Sequence, residues 1–158
     1  MIMIGIIGIL ILSYSIIPTF YYKFKGTPII NEVEEKKFLS LTFDDGPDKK
    51  YTVELLDLLK KYNIKATFFV VAKFAEENHE IIKRMEEEGH TIGLHSLEHK
   101  NALLNGPLYT STDFKESLKI MRKLNINVKF FRPPWGHLNL STIINLKKYK
   151  HENNKKNI

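Results

Sequence analysis

With 158 residues, 43% of them hydrophobic and 27% charged, the chain has the composition of one globular unit rather than of a disordered one. It has no cysteine, which excludes disulfide staples and thiolate metal sites, so any metal must be held by His, Asp or Glu. The formal net charge of +6 does not mark a nucleic-acid binder: five lysines and one glutamate crowd into residues 147–158, and no basic stripe interleaved with aromatics marks a binding face.

The first 22 residues, MIMIGIIGILILSYSIIPTFYY, carry no charged side chain. About 20 apolar residues cross a bilayer, whereas a signal peptide needs an apolar stretch of roughly 7–15. A transmembrane anchor and a signal segment both fit, because Ser13-Tyr14-Ser15 resembles a small-x-small cleavage site; length favours the uncleaved anchor. Lys23 and Lys25 follow the span with nothing basic before it, which by the positive-inside rule puts the C-terminal part in the cytoplasm. An upstream true start bringing its own lysines would reverse that orientation, and this is the expectation adopted.

Residues 23–37 are polar and read as a linker. From Phe38 onward, strand-like and helix-like segments alternate. FLSLTF (38–43) is a short buried strand ending at Asp44. Over residues 52–62, Leu55, Leu58, Leu59 and Tyr62 share a helical face. KATFFVVAKF (65–74) is a second strand. Asn78 caps a helix through Ile81, Ile82 and Met85 that stops at Gly89. HTIGLH (90–95) is a third strand, Ser111 or Thr112 begins a helix with Phe114, Leu118 and Met121 inward, and VKFFRPPW (128–135) is a fourth strand. Residues 141–158 read as a Lys/Asn-rich tail. Such alternation predicts βαβ units and a parallel sheet, whose chemistry gathers at the carboxyl ends of the strands.

Three polar clusters fall at those strand ends. In Asp44-Asp45-Gly46-Pro47, extended neighbours point to opposite sides, so one carboxylate can coordinate a cation while the other accepts a proton. A helix-capping aspartate is the plain alternative. In HSLEH, His95 and His99 at i and i+4 can face one side of a helical turn and grip one ion. Ser96 can hold that loop through its hydroxyl. The remaining histidines, His79, His90, His137 and His151, read as surface or capping residues. In FFRPPWG (130–136), Arg132 brings a planar, permanently charged fork suited to a carboxylate, and Trp135 is either a sugar-stacking surface or a core residue.

Together TFDDGP, HSLEH and RPPWG resemble, in order and spacing, the first three motifs of the NodB-like polysaccharide deacetylases, carbohydrate esterase family four, over roughly residues 38–137. The resemblance implies a partial, distorted (β/α) barrel over 38–140 behind the N-terminal transmembrane or signal helix. It implies removal of N-acetyl groups from a polysaccharide such as peptidoglycan or a chitin-like oligomer, outside the cell membrane, or secreted if residues 1–15 are cleaved. By motif, Asp44 is the general base and Arg132 orients it. Asp45, His95 and His99 hold one divalent ion, zinc with cobalt or nickel as alternatives. Pro134 and Trp135 line the acetyl pocket, with Ser96 behind them.

The family's two later motifs, an acidic-Trp segment and a Leu-x-Leu-His that supplies the general acid, have no counterpart after Gly136. The chain therefore reads as a truncated or frame-shifted member. The alternatives are a remnant that binds metal or glycan without turnover, and an unrelated small membrane protein.

Overall fold

The computed structural model describes residues 2–25 and 39–156, so the expected linker lies, beyond Lys25, outside the described residues. Residues 2–25 are helical throughout: α1 (Ile2–Ile11), a π-type turn over Leu12–Ile16, then α2 (Ile17–Lys25). Met3–Phe24 has a mean hydropathy of 2.1 and is long and apolar enough to cross a bilayer; a signal sequence meets the same description. Most of its surface is open, but Ser15 and Thr19 are buried. The Thr19 hydroxyl donates to the Leu138 carbonyl (2.6 Å) and accepts from the Leu138 N–H (2.9 Å), tying this helix to the chain just beyond RPPWG.

The strands β1 (Thr42–Asp44), β2 (Thr67–Val70) and β3 (Thr91–Leu94) form one parallel sheet in sequential order, with Phe43, Phe68 and Ile92 in register. Crossovers run through α3 (Tyr51–Lys61), then the short α4 (Ala72–Glu77) with α5 (His79–Glu87). Parallel neighbours need such crossovers, and sequential order brings every strand's carboxyl end to one rim. Leu56, Leu59, Val70, Ile82, Met85, Leu94, Phe114, Leu118 and Met121 join the helices and sheet in one core. The helix carrying the last three is α6 (Pro107–Lys123).

Several expectations shift. The first strand is not buried: Thr42 and Asp44 are exposed because, among the described residues, β1 is an edge strand paired to β2 alone. The second strand stops at Val70, since Val71 N–H turns to the Gly46 carbonyl and Ala72 N–H to the Ser96 carbonyl. The buried face of α3 is Thr52, Leu56 and Leu59, with Leu58 51% exposed and Tyr62 also outside; a run of four leucines offers two faces, and packing selects one. Asn78 stands between α4 and α5, where its side chain donates back to Phe74 O (2.8 Å) instead of capping α5. Helix α6 starts four residues earlier than Ser111, because Pro107 at its first position needs no N–H donor.

The fourth strand contracts to a single parallel bridge, Leu94 to Phe131, as Pro133 and Pro134 supply no N–H to extend the ladder. The expected tail is α7 (Leu140–Lys156). Asn139 caps it, its side-chain Oδ1 accepting from the Thr142 N–H (2.8 Å); Ile143 is buried, and Leu146 and Tyr149 pack on the core. Lys147, Lys148 and Lys150 are exposed on the helix's outer side, so composition hid an amphipathic element.

Candidate metal centre

At the carboxyl end of β1 the chain turns at once. Asp45 adopts φ 71°, and Gly46-Pro47 is a cis peptide whose Gly46 carbonyl accepts from Val71 N–H (2.9 Å), fastening the turn to β2. Asp tolerates the left-handed region better than most residues. The turn sends the two carboxylates to different partners. Asp44 Oδ1 accepts from Arg132 Nη1 at 2.7 Å, whereas Asp45 Oδ1 lies 3.0 Å from His99 Nε2 and 3.2 Å from His95 Nε2. Helix capping falls to a third aspartate: Asp48 accepts from Lys50 and Tyr51 N–H (2.8 Å each), and the Thr52 hydroxyl accepts from Asp48 N–H. Those backbone donors hold the Asp48 carboxyl below its ordinary value.

His95 and His99 meet, but not on a helical turn. HSLEH leaves β3 as a loop with Ser96 at φ 74° and His99 at φ 58°, which doubles back until the two rings lie 5.1 Å apart. Its backbone is tied down at four points. Ser96 and Leu97 carbonyls accept from Ala72 and Lys73 N–H, Leu97 N–H donates to the Asp113 carboxylate, and His99 N–H donates to Ser96 Oγ (2.9 Å). Within this loop, Glu98 sits between Lys100 and Lys73, which hold its carboxyl down to about 2.

His95 is 3% exposed, and its Nδ1 is 2.7 Å from the Arg132 carbonyl oxygen. A carbonyl only accepts, so Nδ1 carries the proton and Nε2 presents its lone pair. Burial pushes the His95 pKa below its ordinary value, against the pull of that carbonyl and of Asp44 and Asp45. A neutral His95 thus aims an acceptor at another acceptor, Asp45 Oδ1, 3.2 Å away. Two acceptors at that distance repel unless a positive centre lies between them. The ligand atoms of Asp45, His95 and His99 all lie within 4.8 Å of one another, a two-nitrogen, one-oxygen set that suits a borderline divalent cation.

Arg132 also donates to Thr42 Oγ1 (3.0 Å), and its guanidinium lies 4.0 Å from the centre of the Phe69 ring. Phe69 in turn needs Gly93: a Cβ there would meet its ring at 2.6 Å. Pro134 is buried, while Trp135 is 68% exposed at φ 59° with its indole 5.6 Å from the His99 ring; it is no core tryptophan. The sequence reading missed Thr42, Phe69, Gly93 and Asp113, which act on the site through contacts no motif displays. Of the other histidines, His79 pairs with Glu80 and His137 meets Asn101, but His90 is no surface residue: it is buried and accepts from the Ala66 N–H. The side chain of His151 lies outside the described residues.

The profile of the polysaccharide deacetylase family matches residues 31–153. A peptidoglycan-N-acetylglucosamine deacetylase of Bacillus cereus is 39% identical over 126 residues, 79% of this chain and 44% of that protein. Among solved structures, a family 4 acetyl xylan esterase from Clostridium thermocellum in complex with a cobalt ion superposes with a TM-score of 0.61 at 37% identity, covering 67% of this chain and 53% of its own. A family 4 carbohydrate esterase from Streptomyces lividans in complex with acetate gives 0.66 at 26% identity, covering 71% and 58%. The chain therefore spans about half the length of the relatives it matches. With that profile over most of its length, and its motif residues gathered at one end of a parallel sheet, the chain belongs to the polysaccharide deacetylase family.

Proposed function

We propose that this chain is a metal-dependent N-deacetylase of a cell-wall polysaccharide, its sheet forming part of a distorted (β/α) barrel. The observation that carries the reading is the convergence of Asp45 Oδ1 with His95 Nε2 and His99 Nε2, next to the Asp44–Arg132 pair. Asp45, His95 and His99 would hold zinc, with cobalt or nickel as substitutes. When bound, such an ion supplies a Lewis acid for the acetamide carbonyl and lowers the pKa of water.

The chain's own residues do the rest. Arg132 engages Asp44 through Oδ1, which leaves Oδ2 to take a proton from the attacking water as the new C–O bond forms. Breaking the C–N bond then releases acetate, and the departing nitrogen takes up a proton, returned by Asp44 or drawn from solvent, to remain on the sugar as the amine. Pro134 and the Trp135 turn border the acetyl group, and the exposed indole offers a face to a sugar ring. Ser96 fixes the backbone of His99. Peptidoglycan is the substrate favoured by the names of the relatives, and the apolar Met3–Phe24 helix supports attachment to the outer face of a membrane, or export if residues 1–15 are removed.

A second reading, binding of metal or glycan without turnover, is favoured by one observation. Among the described residues, no contact places a general acid over the leaving amine, and such an acid is worth about 10²–10⁴-fold. Acetate release from an N-acetylglucosamine oligomer, by the full chain with and without zinc, separates the two. Zinc-dependent release that Asp44→Asn abolishes is the result expected of the enzyme. Zinc binding without release leaves the binding reading, and release that survives Asp44→Asn overturns the assigned base.

A further inference from the structure

The HSLEH loop is held from a distance by a carboxylate on another element. Asp113 lies on α6, 16 residues from Leu97, and both its oxygens accept from the Leu97 N–H, at 3.3 and 3.2 Å. Leu97 is the middle residue of the loop, two positions from His95 and two from His99. Ser96 and His99 on either side adopt left-handed backbone angles, so the loop's path is not one the chain takes by itself. Its other backbone ties run to Ala72 and Lys73 at the start of α4 and, internally, to Ser96 Oγ. From α6, the Tyr109 hydroxyl reaches only the Glu98 side chain (3.3 Å), and Asp113 supplies the fastening to the loop's backbone.

The fastening is an expensive one. Asp113 is partly buried on the side of α6 that packs against the core, beside Phe114 and Ser117, and it lines a cavity of about 30 Å³ with Ser96, Tyr109 and Pro134. Desolvation pushes its carboxyl up to about 6. A hydroxyl or an amide at this position would hold a surface loop at lower cost. A charged acceptor is the stronger partner for a backbone N–H, and it stands where two imidazoles must be kept in register. Cost incurred at such a place points to site geometry rather than to global stability.

We infer that Asp113 is a positioning residue: its hydrogen bond to Leu97 N–H sets the separation of His95 and His99 and so the affinity of the centre for its cation. This rests on the metal-centre reading given above. Partners one layer behind a metal ligand typically change affinity by about 10–100-fold, and a tether acting through loop backbone belongs at the lower end, about 10-fold.

The test is zinc titration of the full chain against a competing chelator, for wild type, Asp113→Asn and Asp113→Ala, each with the unfolding temperature of the metal-free form. Asn keeps a carbonyl oxygen for the Leu97 N–H and is expected within about threefold of wild type; Ala has no acceptor and is expected to bind about 10-fold more weakly. A folded Ala variant with wild-type affinity overturns the inference while leaving the metal centre standing. So does a result in which Asn and Ala weaken binding equally. If Ala does not fold, Asp113→Ser, whose oxygen falls short of Leu97, is read by the same criteria. Wild-type chain that takes up no zinc overturns the metal-centre reading and the inference with it.

Discussion

Gly93→Ala probes how the sheet supports Arg132. A methyl group built at Gly93 lies 2.6 and 2.7 Å from two carbons of the Phe69 ring and 3.2 Å from the Phe130 carbonyl oxygen. Carbon atoms rest at about 3.5–4.0 Å, so the ring must retreat by roughly 1 Å. Relief through the backbone is limited, because β3 is paired to β2 along its length and Leu94 also bonds to Phe130 and Arg132. Overpacking of this kind costs about 1–3 kcal/mol, and we expect about 2. For a chain of this size that lowers the midpoint of thermal unfolding by about 4–8 °C. Phe69 also carries the Arg132 guanidinium, so its retreat loosens Asp44. The assay is a double-mutant cycle by denaturant unfolding, with Phe69→Leu as the second change. Leu vacates the contested space, and a coupling of about 1 kcal/mol or more is expected. Gly93→Ala within about 0.5 kcal/mol of wild type, or strict additivity, would refute the reasoning.

Asp113→Asn should change how stability depends on pH. The native carboxyl titrates near 6 against a reference of 3.8, so the folded state binds the proton more tightly, and wild type loses stability as pH rises from about 4 to 6. At pH 7.5 the Asn variant is expected to be more stable by about 1–3 kcal/mol after allowance for solvent screening, with the difference vanishing near pH 4. Urea titrations at the two pH values measure this, and parallel profiles would count against it. Ser96→Ala removes the acceptor of His99 N–H and should cost about 1–2 kcal/mol in the same assay, with zinc binding weakened as the loop relaxes. Thr19→Val keeps the shape but strips both hydrogen bonds from Leu138, and thermal unfolding in detergent micelles should show a loss of about 2 kcal/mol. An unchanged midpoint would mean that the N-terminal helix does not bear on the domain.

The parts of the molecule that were legible in the sequence are those in which chemistry and local pattern coincide. Asp44-Asp45, His95, His99 and Arg132 were readable because each lies at, or in the loop just after, an apolar extended segment, where polar residues need a reason. Three strands were found by their β-branched and aromatic runs. The fourth was over-read, since VKFF has the composition of a strand but is followed by prolines that cannot extend a ladder. Helix α7 was missed for the opposite reason: its lysines and asparagines dominate composition, while burial rests on a few residues such as Ile143. Periodicity misplaced the α3 face because Leu55, Leu56, Leu58 and Leu59 satisfy more than one stripe. The site was legible in membership but not in geometry. An i, i+4 histidine pair suggests a helical turn, and only the left-handed angles at Ser96 and His99 reveal a loop instead. Asp113 left a faint trace, an acid next to the apolar stripe of α6, and its partner is a backbone N–H that no sequence displays.

Arg132 meets its neighbours through different atoms. Its side chain reaches Asp44 and Thr42, while its carbonyl fixes the tautomer of His95 and its N–H joins Leu94. The backbone contacts survive any replacement of the side chain other than by proline, which has no N–H. On the function proposed above, cation capture and water activation would therefore be separable traits in this scaffold: substitutions at position 132 would retune or abolish the second while the first is inherited intact. Drift that silences turnover would leave behind a competent metal receptor.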